Sequence, residues 1–260
     1  MPTILRPSRA LFRFSGAEAQ KLLFDVLTGR LLADAAAEPV WWALLSPQGK
    51  IQAEGLSAYS DDAFWLDVDQ GVADGFLKRM KMYRLRAAVD IADLRESHAV
   101  GVLDTASPGR VIGTKQEAAD WAAADTRHDS ARIARGVAEL GPDFGPDEVF
   151  PHDIGMDLLG GVDFKKGCYI GQEVVSRMQH RGTARRRPVI VSGVEDPKGT
   201  LLKVGSRDAG AIGTPVDGKA IAIVRLDRFD GGEVTVGGKP VTVTLPHWAT
   251  YRLGESAPAD

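Results

Sequence analysis

The stretch DFKKGCYIGQEVVSRMQHRG, Asp163 to Gly182, holds Cys168, the one cysteine in 260 residues. Lys165 and Lys166 precede it, and Gly167 and Gly171 stand on either side, where they permit positive φ or the close approach of another group. From Gln172 the pattern turns helical, with Val174, Val175 and Met178 on one stripe and Glu173, Arg177 and Gln179 off it. That spacing predicts a thiol in a loop just before a helix N-terminus, where the helix dipole and two ammonium groups favour thiolate. A thiolate attacks electrophiles and binds soft metals. One alone cannot form an internal disulfide, nor a self-contained zinc or iron–sulfur site, which takes about four ligands. Cys168 is therefore a nucleophile, a single ligand to a cluster shared with a partner, or the small buried hydrophobe that lone cysteines often are.

Other groups that could do chemistry are scattered. The histidines, His98, His128, His152, His180 and His247, lack ligand-like spacing. His152 and His180 adjoin the cysteine stretch and offer a base to it, although packing or surface roles are commoner. Arg177, Arg181, Arg185, Arg186 and Arg187 form a basic run that can contact phosphate. In a chain of net charge −3 with no interleaved aromatic residues, a solvated or carboxylate-binding face is expected instead, and direct nucleic-acid binding is not.

Positioning these groups takes a folded body. The composition, 44% hydrophobic and 26% charged, is that of a globular protein. No run of about 18 apolar residues offers a membrane span. The lone cysteine fits a reducing compartment, and a cytoplasmic protein is the expectation. The first seventeen residues carry three arginines and no acid, a faint transit-peptide pattern, but folded structure already begins inside them. ALFRFSGAEAQKLLFDVLTG predicts a strand, then a helix with Ser15 and Glu18 as a capping box and Gly29 as its stop. VWWALLS and AFWLDV read as strands, the former followed by the hairpin-like turn SPQGK; Trp41 and Trp42 give it a core face and an exposed or cavity-lining face. Gly71 to Arg86 is helical, with Val72, Phe76, Met80 and Tyr83 toward the core. HAVGVLD and RVIGT are strand-like, the Ala-rich stretch from Lys115 to Gly141 is helix-prone, and GPDFGPDEVFP is a loop. Beyond Pro188, PVIVSGV, GTLLKVG, AIAIVRLDR and GEVTVGGKPVTVTLP predict a small sandwich or barrel.

KKGCYIGQEVVSR resembles the signature of the YgfZ family, Lys-Gly-Cys-Tyr-x-Gly-Gln-Glu, matched here by Lys166, Gly167, Cys168, Tyr169, Gly171, Gln172 and Glu173. SPQGKIQAEGLSAY, LKRMKMYRLRAAVDIADL, FPHDIGMDLLGGVDFKKGC and RMQHRGTARRRP stand in family-like order, so the resemblance covers most of the chain. It implies a protein that binds tetrahydrofolate and aids assembly or repair of iron–sulfur clusters. The implied partners are cluster-assembly factors and client iron–sulfur enzymes, tRNA-modifying ones among them. It implies Cys168 as the active group, with no metal site in the chain alone but one ligand for a transient shared cluster. Lys166, Gly167, Tyr169, Gly171, Gln172, Glu173 and Arg177 are the implied folate-binding candidates.

The family is similar in turn to the aminomethyltransferase of glycine cleavage, the T-protein. That implies an α+β ring around a central folate cavity. Its parts would be an α/β subdomain at 1–90 completed by 147–184, a middle α/β subdomain at 91–146, and a C-terminal β-barrel at 185–260. In the T-protein pattern an aspartate lies against the reacting folate nitrogen. Here GKIQAE puts Ala53 at that position and Glu54 at the next, so the same aminomethyl transfer is not expected. Glu54 is then an exposed strand residue or a neighbour of folate. A folate-dependent one-carbon transferase and a non-catalytic interaction module are the alternatives.

Overall fold

The computed structural model describes residues 2–103, 109–182 and 184–255. Asp104 of HAVGVLD and Thr183 of the basic run lie outside the described residues. The chain divides into two compact units, 1–125 with 160–172 and 126–159 with 173–260.

In the first unit come β1 (Thr3–Leu5), β2 (Arg9–Ser15), α1 (Ala19–Val26), β3 (Val40–Leu45), β4 (Ile51–Ser60) and β5 (Ala63–Asp69). They are followed by α2 (Ala73–Arg84), β6 (Asp90–Asp93), β7 (His98–Leu103), β8 (Arg110–Thr114) and α3 (Lys115–Ala118). Alternation in RALFRFS sends Ala10, Phe12 and Phe14 to one face of a five-stranded antiparallel sheet ordered β3-β4-β5-β2-β6. Onto that face α1 lays Leu22, Leu23 and Val26, and α2 lays Phe76 and Met80. The Phe76 ring lies 5.4 Å from those of Phe12 and Trp42, and burying such a ring stabilises by about 2–3 kcal/mol. A second antiparallel sheet, β1-β7-β8, completes the unit.

Two local readings are corrected. Ser15 and Glu18 do not form a capping box: Ser15 stays in β2, and the Glu18 carboxylate accepts from Ala88 N at 2.7 Å. The cause is Gly16, whose φ is +107° and whose absent Cβ would stand 2.4 Å from the Ala88 carbonyl oxygen. The chain must turn hard there before a helix can start. Nor does Gly29 end the helix, because Leu27 already runs extended and bridges to Leu44. The Ala-rich stretch gives two helices rather than one, α3, capped by Thr114 and Glu117, and another at Arg127–Arg135. Trp121 then packs against Gly101 and Gly113, so tertiary contact overrides helix propensity.

The second unit contains α4 (Arg127–Arg135) and α5 (Gln172–Arg181), the first residue of which belongs to the first unit. It also holds β9 (Arg186–Ser192), β10 (Leu201–Val204), β11 (Arg207–Ile212), β12 (Lys219–Arg225), β13 (Val234–Val236), β14 (Lys239–Pro240) and β15 (Thr242–Thr244). These strands make one antiparallel sheet, ordered β14-β13-β10-β11-β12-β9-β15, around Val189, Val191, Leu202, Val204, Ala220, Ala222 and Val224. The strand β11 was not legible in RDAGAI. It pairs because Gly210 lets the β12 backbone approach, with Ile223 O 2.3 Å from where a Cβ would lie. The fold is α+β.

Candidate functional site

The loop that carries Cys168 is fastened to the first unit at successive points. Thr28, fully buried, donates its hydroxyl to Gly161 O at 2.7 Å and accepts from Ala43 N at 2.9 Å, while its carbonyl receives Asp163 N at 3.0 Å. Asp163 turns the chain by accepting from Lys165 N (2.8 Å) and Lys166 N (3.2 Å).

Lys166 then plunges inward and is only 6% exposed. Its Nζ donates to the carbonyls of Phe24 (2.8 Å), Leu27 and Gly29 (3.1 Å), the orphan acceptors at and beyond the C-terminus of α1. The rings of Phe24 and Tyr169 each lie 4.9 Å from it. Burial pushes the ammonium down to about 8, against the pull of Asp163 and Asp25. Its charge is engaged at the end of α1, which corrects the expectation that both lysines act on the sulfur.

Past the sulfur, Tyr169 is buried, which raises its hydroxyl pKa, and that hydroxyl has no hydrogen-bond partner among the described residues. Tyr169 N donates to Gln172 Oε1 at 3.3 Å and Gln172 N to Tyr169 O at 3.2 Å, a reciprocal pair at the start of α5. Gly171 has φ +77°, and a Cβ there would stand 2.5 Å from Ser46 O in the β3–β4 turn. Gly167 differs: it is exposed, its φ is not positive, and a Cβ would meet only the Phe24 ring at 3.5 Å.

Between these anchors Cys168 is exposed. The buried-filler reading of the lone cysteine is thereby corrected. The arrangement presents one thiol outward from a backbone that is held on both sides. Such a group can occupy one coordination position of a cluster or attack an electrophile brought to it. Of the other predicted residues, Glu173 and Arg177 sit on the exposed face of α5.

Sequence reasoning missed a buried ionic cluster in the same unit. Asp67, 2% exposed, accepts from Arg9 Nε and Arg110 Nε, each at 2.8 Å, and from Leu56 N at 2.7 Å. Burial would raise its carboxyl, and the two guanidiniums override that and hold it at about 2. Of the two readings of Glu54, the exposed strand residue is corrected: it is 3% exposed, accepts from Trp41 Nε1 at 2.7 Å and lies 3.6 Å from Arg9. The usable signal was a charge inside each of two apolar strands, Arg9 in β2 and Asp67 in β5. Ala53, the neighbour of Glu54, is 1% exposed within the core cluster.

A cavity of about 620 Å³ opens in this unit over Leu5, Leu11 and Val100, with Arg6, Arg95 and Lys115 in its wall. None of the seven predicted folate-binding residues lines it. In the second unit a cavity of about 290 Å³ is lined by His152, Asp157, Arg187 and Tyr251. His152 Nε2 is 3.1 Å from Gln179 Oε1, and burial lowers the imidazole pKa. Two members of the basic run pair with carboxylates, Arg187 with Asp157 in the cavity wall at 2.7 and 3.0 Å and Arg186 with Asp153 at 2.6 Å. His128, Asp129 and Glu139 also converge, but the Arg132 guanidinium sits 3.4 Å from Asp129 and 3.5 Å from Glu139 and already supplies the cation.

Residues 184–251 match the family model described as CAF17, C-terminal beta-barrel domain. The chain is 30% identical to the iron–sulfur cluster assembly factor IBA57 homolog, mitochondrial, of Pyricularia oryzae, over 69% of this chain and 54% of that protein. It is 26% identical to the human iron–sulfur cluster assembly factor IBA57, mitochondrial, over 96% of this chain and 82% of that one. The chain spans little more than half the length of several fungal relatives that it matches. A crystal structure of the glycine cleavage system aminomethyltransferase T from Bartonella henselae superposes with a TM-score of 0.73 at 15% identity, over 96% of this chain and 87% of that one. The fold is therefore of the T-protein type with a C-terminal β-barrel. The relatives named for cluster assembly carry mitochondrial names, and they overturn the expectation of a cytoplasmic protein. A lone unpaired cysteine speaks to redox state, which does not single out one compartment.

Proposed function

We propose that this protein is an accessory factor of iron–sulfur cluster assembly or repair, of the YgfZ type, and that Cys168 is the one thiol it lends to a cluster shared with a partner. The observation that carries this reading is the exposed sulfur on a loop held down on both sides. The names of the relatives support it, since they are cluster-assembly factors. The cluster is cargo: one thiolate fills one position, and the partner supplies the others. Cluster-assembly factors and client iron–sulfur enzymes, tRNA-modifying enzymes among them, are the partners that follow.

The test compares iron–sulfur enzyme activities in cells with the wild-type protein, Cys168→Ser, or none. We expect the serine variant to behave as the deletion while its thermal midpoint stays at the wild-type value, because the side chain is exposed. Full rescue by the serine variant would sink the reading.

Tetrahydrofolate is the proposed ligand. Its fit rests on the 620 Å³ cavity, whose volume lies in the usual range for small-molecule sites. Leu5, Leu11 and Val100 suit a ring system. A carboxylate tail would meet Arg6, Arg95 and Lys115 in competition with Asp93 and Glu96, which line the same cavity and pair with Arg95 and Lys115. Bound there, the cofactor would supply a one-carbon carrier. Transfer by the aspartate route is disfavoured by Ala53. Titration of the purified protein checks the cofactor, and no saturable binding at millimolar tetrahydrofolate removes it.

A further inference from the structure

The helix α2 carries two stripes. Ala73, Phe76 and Met80 are buried in the core. Lys78, Met82 and Leu85, spaced by four and then three, and Lys81 beside them, are all exposed. Met82 is 56% exposed and Leu85 81%. From Phe76 to Arg86 the chain has five cations, Lys78, Arg79, Lys81, Arg84 and Arg86, and no acid. None of the five has an ion pair among the described residues.

Leu85 adds an independent observation. It caps α2 with φ 43° and ψ −104°, a backbone conformation that side chains other than glycine's rarely adopt. A bulky residue with positive φ is strained, and this one packs almost nothing inside the chain. Glycine would relieve the strain, and a polar residue would remove the exposed apolar surface. Folding explains neither the residue type nor its exposure.

We propose that this face docks an acidic segment of a partner protein. Its carboxylates pair with Lys78, Lys81 and Arg86, and an apolar side chain of the same segment covers Met82 and Leu85. Charge complementarity selects the acid. A lipid surface fits less well, because the other stripe of α2 is buried and only two apolar side chains remain to insert. Nucleic acid fits less well because no exposed aromatic residue lies among the cations to stack on bases. The proposal is independent of Cys168 and of folate.

The test uses the full chain and a fluorescein-labelled twelve-residue peptide of glutamates with two leucines, read by anisotropy at 150 mM salt. Variants are Lys78→Glu with Lys81→Glu and Arg86→Glu, Met82→Ser with Leu85→Ser, and Leu85→Gly. Charge reversal is expected to weaken binding about tenfold or more, and loss of the apolar pair about fivefold. The glycine variant should bind more weakly while its thermal midpoint is unchanged or raised, which a merely structural Leu85 would not allow. Equal binding by wild type and charge-reversal protein overturns the proposal. So does tighter binding of an oligoribonucleotide or of phosphatidylserine vesicles that the same variants abolish. Self-association in sedimentation that charge reversal abolishes also overturns it, in favour of a second copy of this chain.

Discussion

Lys166→Met replaces an unbranched side chain by another of similar length and deletes the charge and all its donors. Two effects oppose each other. The pKa of about 8, against 10.5 for a free lysine, corresponds to roughly 3 kcal/mol of burial penalty that methionine does not carry. Against that, hydrogen bonds to a charged group contribute about 1.5–3 kcal/mol each, and those to Phe24, Leu27 and Gly29 all go. The contacts with two rings add about 1 kcal/mol more. The lost bonds win, and the variant should be less stable by about 2.5–7 kcal/mol. Urea and thermal unfolding measure this, and the midpoint should fall by on the order of 10 °C. The sign of the pH effect is a second check. The folded-state pKa lies below the unfolded one, so between pH 8 and 10.5 the unfolded chain holds more protons. The contribution of Lys166 to stability therefore rises with pH across that window, and Lys166→Met lacks that slope. A variant within about 0.5 kcal/mol of wild type, or parallel pH curves above pH 8, would refute the assignment of Lys166 to the end of α1.

Gly171→Ala meets both a positive φ and the Ser46 carbonyl at 2.5 Å, so it should lose more than about 2 kcal/mol in urea unfolding. Gly160→Ala, at φ +75° with nothing within 4 Å, should lose only about 1 kcal/mol, and equal losses would discredit the steric account. Asp67→Asn removes the buried carboxylate that Arg9 and Arg110 share, with Glu54 still 3.6 Å from Arg9, and should lose about 3 kcal/mol. The Asp67 carboxyl is depressed to about 2, so the part it contributes is present above its unfolded value near 3.8 and disappears as pH falls toward 2, where wild type and variant should converge. Gly167→Ala should fold with wild-type stability, since its Cβ has room, yet weaken cluster-dependent activity if a partner approaches the backbone beside Cys168. A stable variant with full activity would leave Gly167 without a role.

Much of the first unit was legible because long periodic runs meet one consistent core. The β3–β4 hairpin and the Phe76–Met80 face of α2 lie where pattern and turn chemistry put them. What pattern could not see is contact between distant segments. The Ala88 carbonyl displaces the Ser15–Glu18 box, Trp121 interrupts the Ala-rich stretch, and β11 pairs through a glycine in a segment with no strand signal. The Arg9–Asp67–Arg110 cluster joins residues 58 and 43 apart in the chain. A charge inside an apolar strand marks Arg9 and Asp67 as unusual, but nothing in the sequence pairs them with each other or with Arg110.

The cysteine stretch divides along the same line. Lysine at 166 is explained inside the chain, because a long cationic side chain can reach three carbonyls at the end of a helix. Glycine at 171 is explained by its φ and by the Ser46 carbonyl, and glutamine at 172 by its bond to Tyr169 N. Of the four that remain, Tyr169 is buried against Lys166 and Glu173 is exposed on α5, while Gly167 and Cys168 stand side by side, both exposed. Lys166, Gly171 and Gln172 fix the backbone around these two exposed residues, as the proposed lending of Cys168 to a shared cluster requires. That points to a partner rather than to a pocket, because a small ligand held within this unit would leave neighbouring side chains converging on the sulfur. Here they turn inward, to the end of α1 and the β3–β4 turn.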